Sequence, residues 1–145
     1  MESIAVDSLA DLFGALSNRG FTVVGPTIRD GAIVYDELDS PSDLPSGWTD
    51  LQDGGTYRPE KRQDQARFGY AVGPHSWKKY LLPPSLKLWS AKRNGDGFLV
   101  DNKDEETPRY AFIGVRSCEL HAIAIQDLVF VQGEHLDTSY RDRRN

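Results

Sequence analysis

The sequence predicts an α+β domain: a mixed, mostly antiparallel sheet built from hairpins, with an N-terminal helix and a C-terminal strand–loop–helix unit. Three observations predict it. Apolar residues fall at helical spacing near both ends of the chain. Asp30-Gly31 and Asn94-Gly95 separate runs that read as strands. The middle of the chain lacks the regular β–α alternation of a doubly wound parallel sheet. At 145 residues, the chain suits one domain, 1–145, with one hydrophobic core.

The first element is a helix over Ser8 to Arg19. Ser8 and Asp11 make an S-x-x-D start, and Leu9, Leu12, Phe13 and Leu16 share one face. Gly20 supplies the left-handed stop. Phe21 to Ile28 and Ala32 to Leu38 form a hairpin about Asp30-Gly31, in which Pro26 needs an edge or a bulge. Asp39 to Gly55, rich in Ser, Pro, Asp and Gly, reads as a loop pinned by Trp48.

A second hairpin is expected between Thr56–Arg62 and Ala66–Val72, then a short helix or single turn ahead of Pro83-Pro84. There Trp77 and Leu81 would pack inward and Lys78 and Lys79 stay solvated, while His75 is a candidate anion or partner contact. Ser85–Lys92 and Gly97–Asp101 make a third pair. Asp101 to Pro108 is an acidic, exposed loop without the pattern of a calcium site. Arg109 to Val115 reads as a buried strand that runs into a helix from Glu119 to about Val131. Its apolar face is Leu120, Ile123, Ala124, Leu128 and Val131. From about residue 133 the tail is polar, with disorder among its options.

Composition excludes several classes. Hydrophobic residues are 39% and charged residues 27%, and no apolar run is long enough to span a bilayer. Glu2 and Asp7 interrupt what a signal peptide would need to keep apolar. A net charge of −5 argues against nucleic acid as the main partner, and the basic pairs are short and flanked by acids. One cysteine makes no internal disulfide, and His75, His121 and His135 lack zinc-ligand spacing. No G-x-G-x-x-G or Walker loop supports a nucleotide or flavin site. A cytoplasmic location follows as the expectation.

Chemistry gathers at Gly114-Val115-Arg116-Ser117-Cys118-Glu119-Leu120-His121. Ser117 is suited to cap the helix, which puts Cys118 in its first turn. The helix dipole and Arg116 favour the thiolate there, and Glu119 opposes it. Such a thiolate can serve as metal ligand, nucleophile or redox thiol. A nucleophile would need His121 or His75 as base, and the plainer alternative is a buried cysteine acting as a small hydrophobe.

The segment GVRSCELHAIAIQDLVF resembles the G-V-R-P-C-D-L-x-A-I-x-x-L-D-x-V-F stretch in the N-terminal domain of a family of iron–sulfur electron-transfer subunits. That family includes sulfhydrogenase beta subunits and the A subunit of anaerobic sulfite reductase. GYAVGPHSWKKYLLPPSLKLWSAKR is similar to its upstream stretch, and the two segments cover roughly a third of the chain. Ser117 stands where the family has proline and Glu119 where it has aspartate. The C-x-x-C-x-x-C-x-x-x-C-P runs that hold the family's two 4Fe–4S clusters are not in this sequence.

The resemblance implies the N-terminal part of a longer protein. Its 4Fe–4S clusters would be held outside this fragment, which would bind none by itself and have no activity alone. It implies two partners, a flavin-bearing reductase subunit and a catalytic subunit of hydrogenase or sulfite-reductase type. It also implies a cluster-facing role for Cys118 as metal ligand, with Arg116, Ser117, Glu119 and His121 around it. Two other classes remain open at this point: a thiol enzyme using Cys118, and a protein-interaction module without redox chemistry.

Overall fold

A computed structural model describes residues 3–73, 76–101 and 107–144. The fold is α+β, with mostly antiparallel strand pairing. A 3-10 turn, Val6–Ser8, leads into α1 (Leu9–Asn18). Then come β1 (Thr22–Arg29), β2 (Ala32–Glu37), β3 (Trp48–Asp53), β4 (Thr56–Lys61) and the single turn α2 (Lys78–Leu81). The chain continues through β5 (Ser90–Asn94), β6 (Gly97–Asp101), β7 (Tyr110–Phe112), α3 (Ser117–Phe130) and α4 (Thr138–Arg144). Among the described residues no helix is long and apolar enough to cross a membrane.

The main sheet has the order β2-β1-β7. Its hairpin turns at Asp30 (φ 48°) and Gly31 (φ 74°), the pair of positive φ values that lets a two-residue turn follow strand twist. β7 returns parallel to β1, with Thr22, Val23 and Val24 opposite Tyr110, Ala111 and Phe112. Alternation sends Val23 and Leu38 to one face, where α1 covers them with Phe13 and Leu44 completes the cluster. Val24 and Tyr35 take the other face, packed with Trp77, Tyr80, Leu81, Ile123 and Tyr140. Helices therefore cover both faces of β1, which explains why it is buried along most of its length.

Pro26 sits in the central strand, yet only where that strand has an open side. Leu38 N–H donates to the Val23 carbonyl, so Pro26 falls in a non-hydrogen-bonded pair with Tyr35 and turns its nitrogen toward β7. β7 has already ended there.

Several expectations need correction. Ser8 does not cap α1 through its side chain, because the 3-10 turn has already given its backbone a near-helical conformation. The stop is as expected: Gly20 (φ 77°) donates to Ser17 and Phe21 to Leu16, the paired bonds of a Schellman end. Residues 39–55 are not all loop, since β3 starts at Trp48 and pairs with β4 across Gly54-Gly55. Ala66–Val72 is therefore no hairpin partner. It runs as coil along the ribbon, held by Tyr57 Oη–H on the Ala71 carbonyl (2.7 Å) and by the Asp50 carboxylate on the Ala71 N–H. Phe68, with a positive φ of 61°, is incompatible with a regular strand.

The α2 turn behaves as expected, with Trp77 and Leu81 buried and Lys78 and Lys79 exposed. The strand expected over Arg109 to Val115 shrinks to three residues. The polar tail forms α4. Asp137 accepts the Tyr140 N–H at its start (2.9 Å), and the Tyr140 hydroxyl donates to Asp127 (2.8 Å). His75 and residues 102–106 of the acidic loop lie outside the described residues.

Candidate functional site

The site is the junction between β7 and α3. β7 hands its last rung to β1 through Ile113 N–H on the Val24 carbonyl (2.8 Å). The chain then turns at Gly114 (φ 74°), where a Cβ would stand 2.6 Å from the Phe68 ring and 3.2 Å from Pro26 Cδ. Both the backbone conformation and the crowding select glycine there. Three residues later α3 begins.

Arg116, not Ser117, is the N-cap residue of α3. Its backbone is extended (φ −81°, ψ 158°) and its carbonyl accepts the Leu120 N–H (2.9 Å). Ser117 is thus the first helical residue, and no side chain caps the end in the expected way. Glu119 supplies the substitute. Its Oε2 reaches back to accept the Arg116 N–H (2.8 Å), the returning half of a capping box.

The same oxygen accepts the Tyr35 hydroxyl proton at 2.7 Å, and the Gly114 carbonyl lies 3.3 Å from that hydroxyl. Burial first, then the bond to Glu119 and its charge, push the Tyr35 pKa far above its usual value, so the hydroxyl stays a donor. Tyr35 is the residue that sequence reasoning missed. It ties the centre of the β1–β2 hairpin to the helix start across 84 residues of chain. A buried tyrosine in a strand and a glutamate in a first helical turn are each visible in the sequence, but nothing local joins them.

Cys118 lies in the first turn of α3, as expected, and is exposed. The alternative of a buried cysteine acting as a small hydrophobe is thereby excluded. His121 and Arg116 are exposed as well, while Glu119 is half-buried. The five predicted site residues share one helical end, but their roles separate. The carboxylate of Glu119 is spent on Tyr35 and the Arg116 N–H, leaving the Cys118 thiol and the His121 imidazole toward solvent.

The apolar face expected for α3 is also corrected. Ile123 is buried, but Leu120 (56% exposed) and Leu128 (57%) point outward, joined by Ile125 and Val129. The buried side is instead Ala122, Ile123, Phe130 and Val131, with Glu119 and Asp127 holding tyrosine hydroxyls. Cys118 thus stands at the head of an uncovered apolar stripe. Among the described residues no group of three or more His, Cys, Asp and Glu side chains is placed to hold a metal ion. A cluster takes four thiolates in the ordinary case, and this junction offers one.

Arg144 meets Asp127 at 3.1 Å, so the end of α4 lies beside the third turn of α3. Asp127 follows Cys118 by nine residues, about 14 Å along the helix. Comparison with known proteins finds no relative: no family model, no curated protein and no solved structure matches the chain.

Proposed function

We propose that this chain is an accessory domain of an iron–sulfur electron-transfer subunit in a cytoplasmic oxidoreductase of hydrogenase or sulfite-reductase type. In this reading it seats a 4Fe–4S cluster and supplies one ligand, Cys118. The observation that carries it is a single exposed thiol in the first helical turn, at the head of an uncovered apolar helix face. A thiol in that position is open to a cluster whose other ligands come from elsewhere. The apolar stripe below it suits a covering segment that would exclude water and so raise or lower the cluster's potential.

The chain's own contribution is positional. Glu119 and Tyr35 fix the start of α3, and Gly114 fixes the angle at which it leaves the sheet, so the Cys118 Cβ is held by a rigid frame. A segment leaving the end of α4 needs to run back about 14 Å, roughly four or five extended residues, to reach the thiol. Flavin-bearing and catalytic subunits would then exchange electrons through this relay.

The test is iron and acid-labile sulfide per chain in the natural full-length polypeptide, purified anaerobically with and without Cys118→Ser. Loss of about four irons per chain in the variant is the expected result. Equal iron in both proteins removes Cys118 from the ligand set and leaves a seating role. Iron in neither overturns the electron-transfer reading.

A further inference from the structure

The ribbon β5–β6 is the part of the molecule least explained by the rest. Its strands pack chiefly on each other, and every residue of β6 is exposed. Those residues are nonetheless apolar: Phe98 is 71% exposed, Leu99 59% and Val100 61%. A lone two-stranded hairpin in water is marginal at best, and gains stability when further strands extend it.

The two edges of this ribbon are not alike. β5 carries Lys92 and Arg93, one on each face, the kind of charge that guards an edge against pairing. β6 offers Phe98-Leu99-Val100 with no such guard. The register settles which backbone groups lie on its open side. The two-residue turn Gly95-Asp96 closes on Asn94 and Gly97, so hydrogen-bonded pairs recur at Lys92 with Leu99 and at Ser90 with Asp101. The N–H and C=O groups of Phe98 and Val100 therefore point away from β5.

We infer that β6 is a self-pairing edge: two copies of this chain join antiparallel, β6 to β6, about a two-fold axis at Leu99. In that register Phe98 of each copy faces Val100 of the other. The outward groups of both residues then exchange four N–H···O bonds across the axis. Leu99 meets its own counterpart in the non-hydrogen-bonded position, where side chains approach most closely. Asp101 falls opposite Gly97, so no carboxylates oppose each other. The product is a continuous four-stranded sheet with charged β5 strands on its outer edges. The contact is small, which places the dimer in the weak class. Nothing in this inference depends on an iron–sulfur role.

Sedimentation of the full chain from low micromolar to about 200 µM tests it, since a dimer of this strength responds to concentration by mass action. The wild type is expected to shift from monomer to dimer. Leu99→Glu keeps a compatible neighbour in Lys92 on its own hairpin but sets two carboxylates face to face at the axis. Leu99→Lys sets two ammoniums at the axis instead, and on its own hairpin it faces the like charge of Lys92. Each variant alone is expected to stay monomeric at about 200 µM, and an equal mixture is expected to dimerise again. A wild type that stays monomeric, a single variant that still dimerises, or a mixture that does not recover would overturn the inference. The register has its own readout: in a Cys118→Ser background, Leu99→Cys is expected to cross-link two copies on oxidation and Asp96→Cys is not. Cross-linking by Asp96→Cys alone would discard this pairing.

Discussion

The hairpins β1–β2 and β5–β6 are both closed by two-residue turns containing glycine, and their fates are opposite. In the first, Val23, Val24 and Tyr35 are buried, because α1 covers one face and α2, α3 and α4 the other. In the second, the side chains that would make a core stand in solvent. Local sequence suffices to fold a turn and pair two strands. It does not decide what will lie on them, and in this molecule the helices went to only one hairpin.

If that contrast is right, the largest effect should come from the covered hairpin. Trp77, 2% exposed, is the biggest side chain packed against it. Trp77→Ala should cost about 3–5 kcal/mol in chemical denaturation, by lost burial and the cavity left behind. A loss below about 1 kcal/mol would mean that α2 is not part of the core.

A middle-sized effect should come from the hydroxyl that links this hairpin to α3. Tyr35→Phe leaves the half-buried Glu119 carboxylate short of a donor and should cost about 1–3 kcal/mol. The same group sets an alkaline limit, shared with Tyr70, Tyr80 and Tyr140. All four are held above the ordinary tyrosine pKa, first by burial. A raised folded pKa means that the folded state holds protons the unfolded state gives up. The stabilisation is therefore complete below about pH 10 and is lost as pH rises beyond it. Tyrosinate absorbance should then appear together with loss of helical circular dichroism. Ionisation of these tyrosines in a still-folded protein would contradict their burial.

The smallest effect belongs to the ribbon. Phe98→Ala, measured at low micromolar concentration to disfavour any self-association, should change stability by no more than about 0.5 kcal/mol. A larger loss would show that the ribbon packs on the body after all.

The same contrast explains which parts of the fold were legible. α1 and the β1–β2 hairpin could be read because their signals are local: a helical stripe ended by Gly20, and Asp30-Gly31 between β-branched runs. β3 was missed because Thr49, Asp50, Gln52 and Asp53 show no apolar alternation, although Gly54-Gly55 marked the turn. The inward face of α3 was misjudged for a physical reason. Leu120, Ile123, Ile125, Leu128 and Val129 make the helix apolar nearly all round, so its periodicity carries little contrast. α4 was hidden by its polar composition, with Asp137 as its one readable sign.

At the candidate site, the position of Cys118 in a first helical turn was legible, and its exposure agrees with its charged surroundings. The task of Glu119 was not, because it depends on Tyr35 far away in the chain. The parallel pairing of β7 with β1 was hidden for the same reason.

Pro26 has a reach longer than its own strand. The rung after Ile113 N–H on Val24 would need a proton on the nitrogen of residue 26, and proline has none. β7 cannot zip further along β1, so the polypeptide must depart from the sheet at Ile113. One missing hydrogen early in the chain thereby meters out the length of its last strand, and with it the spot at which the single thiol emerges into solvent.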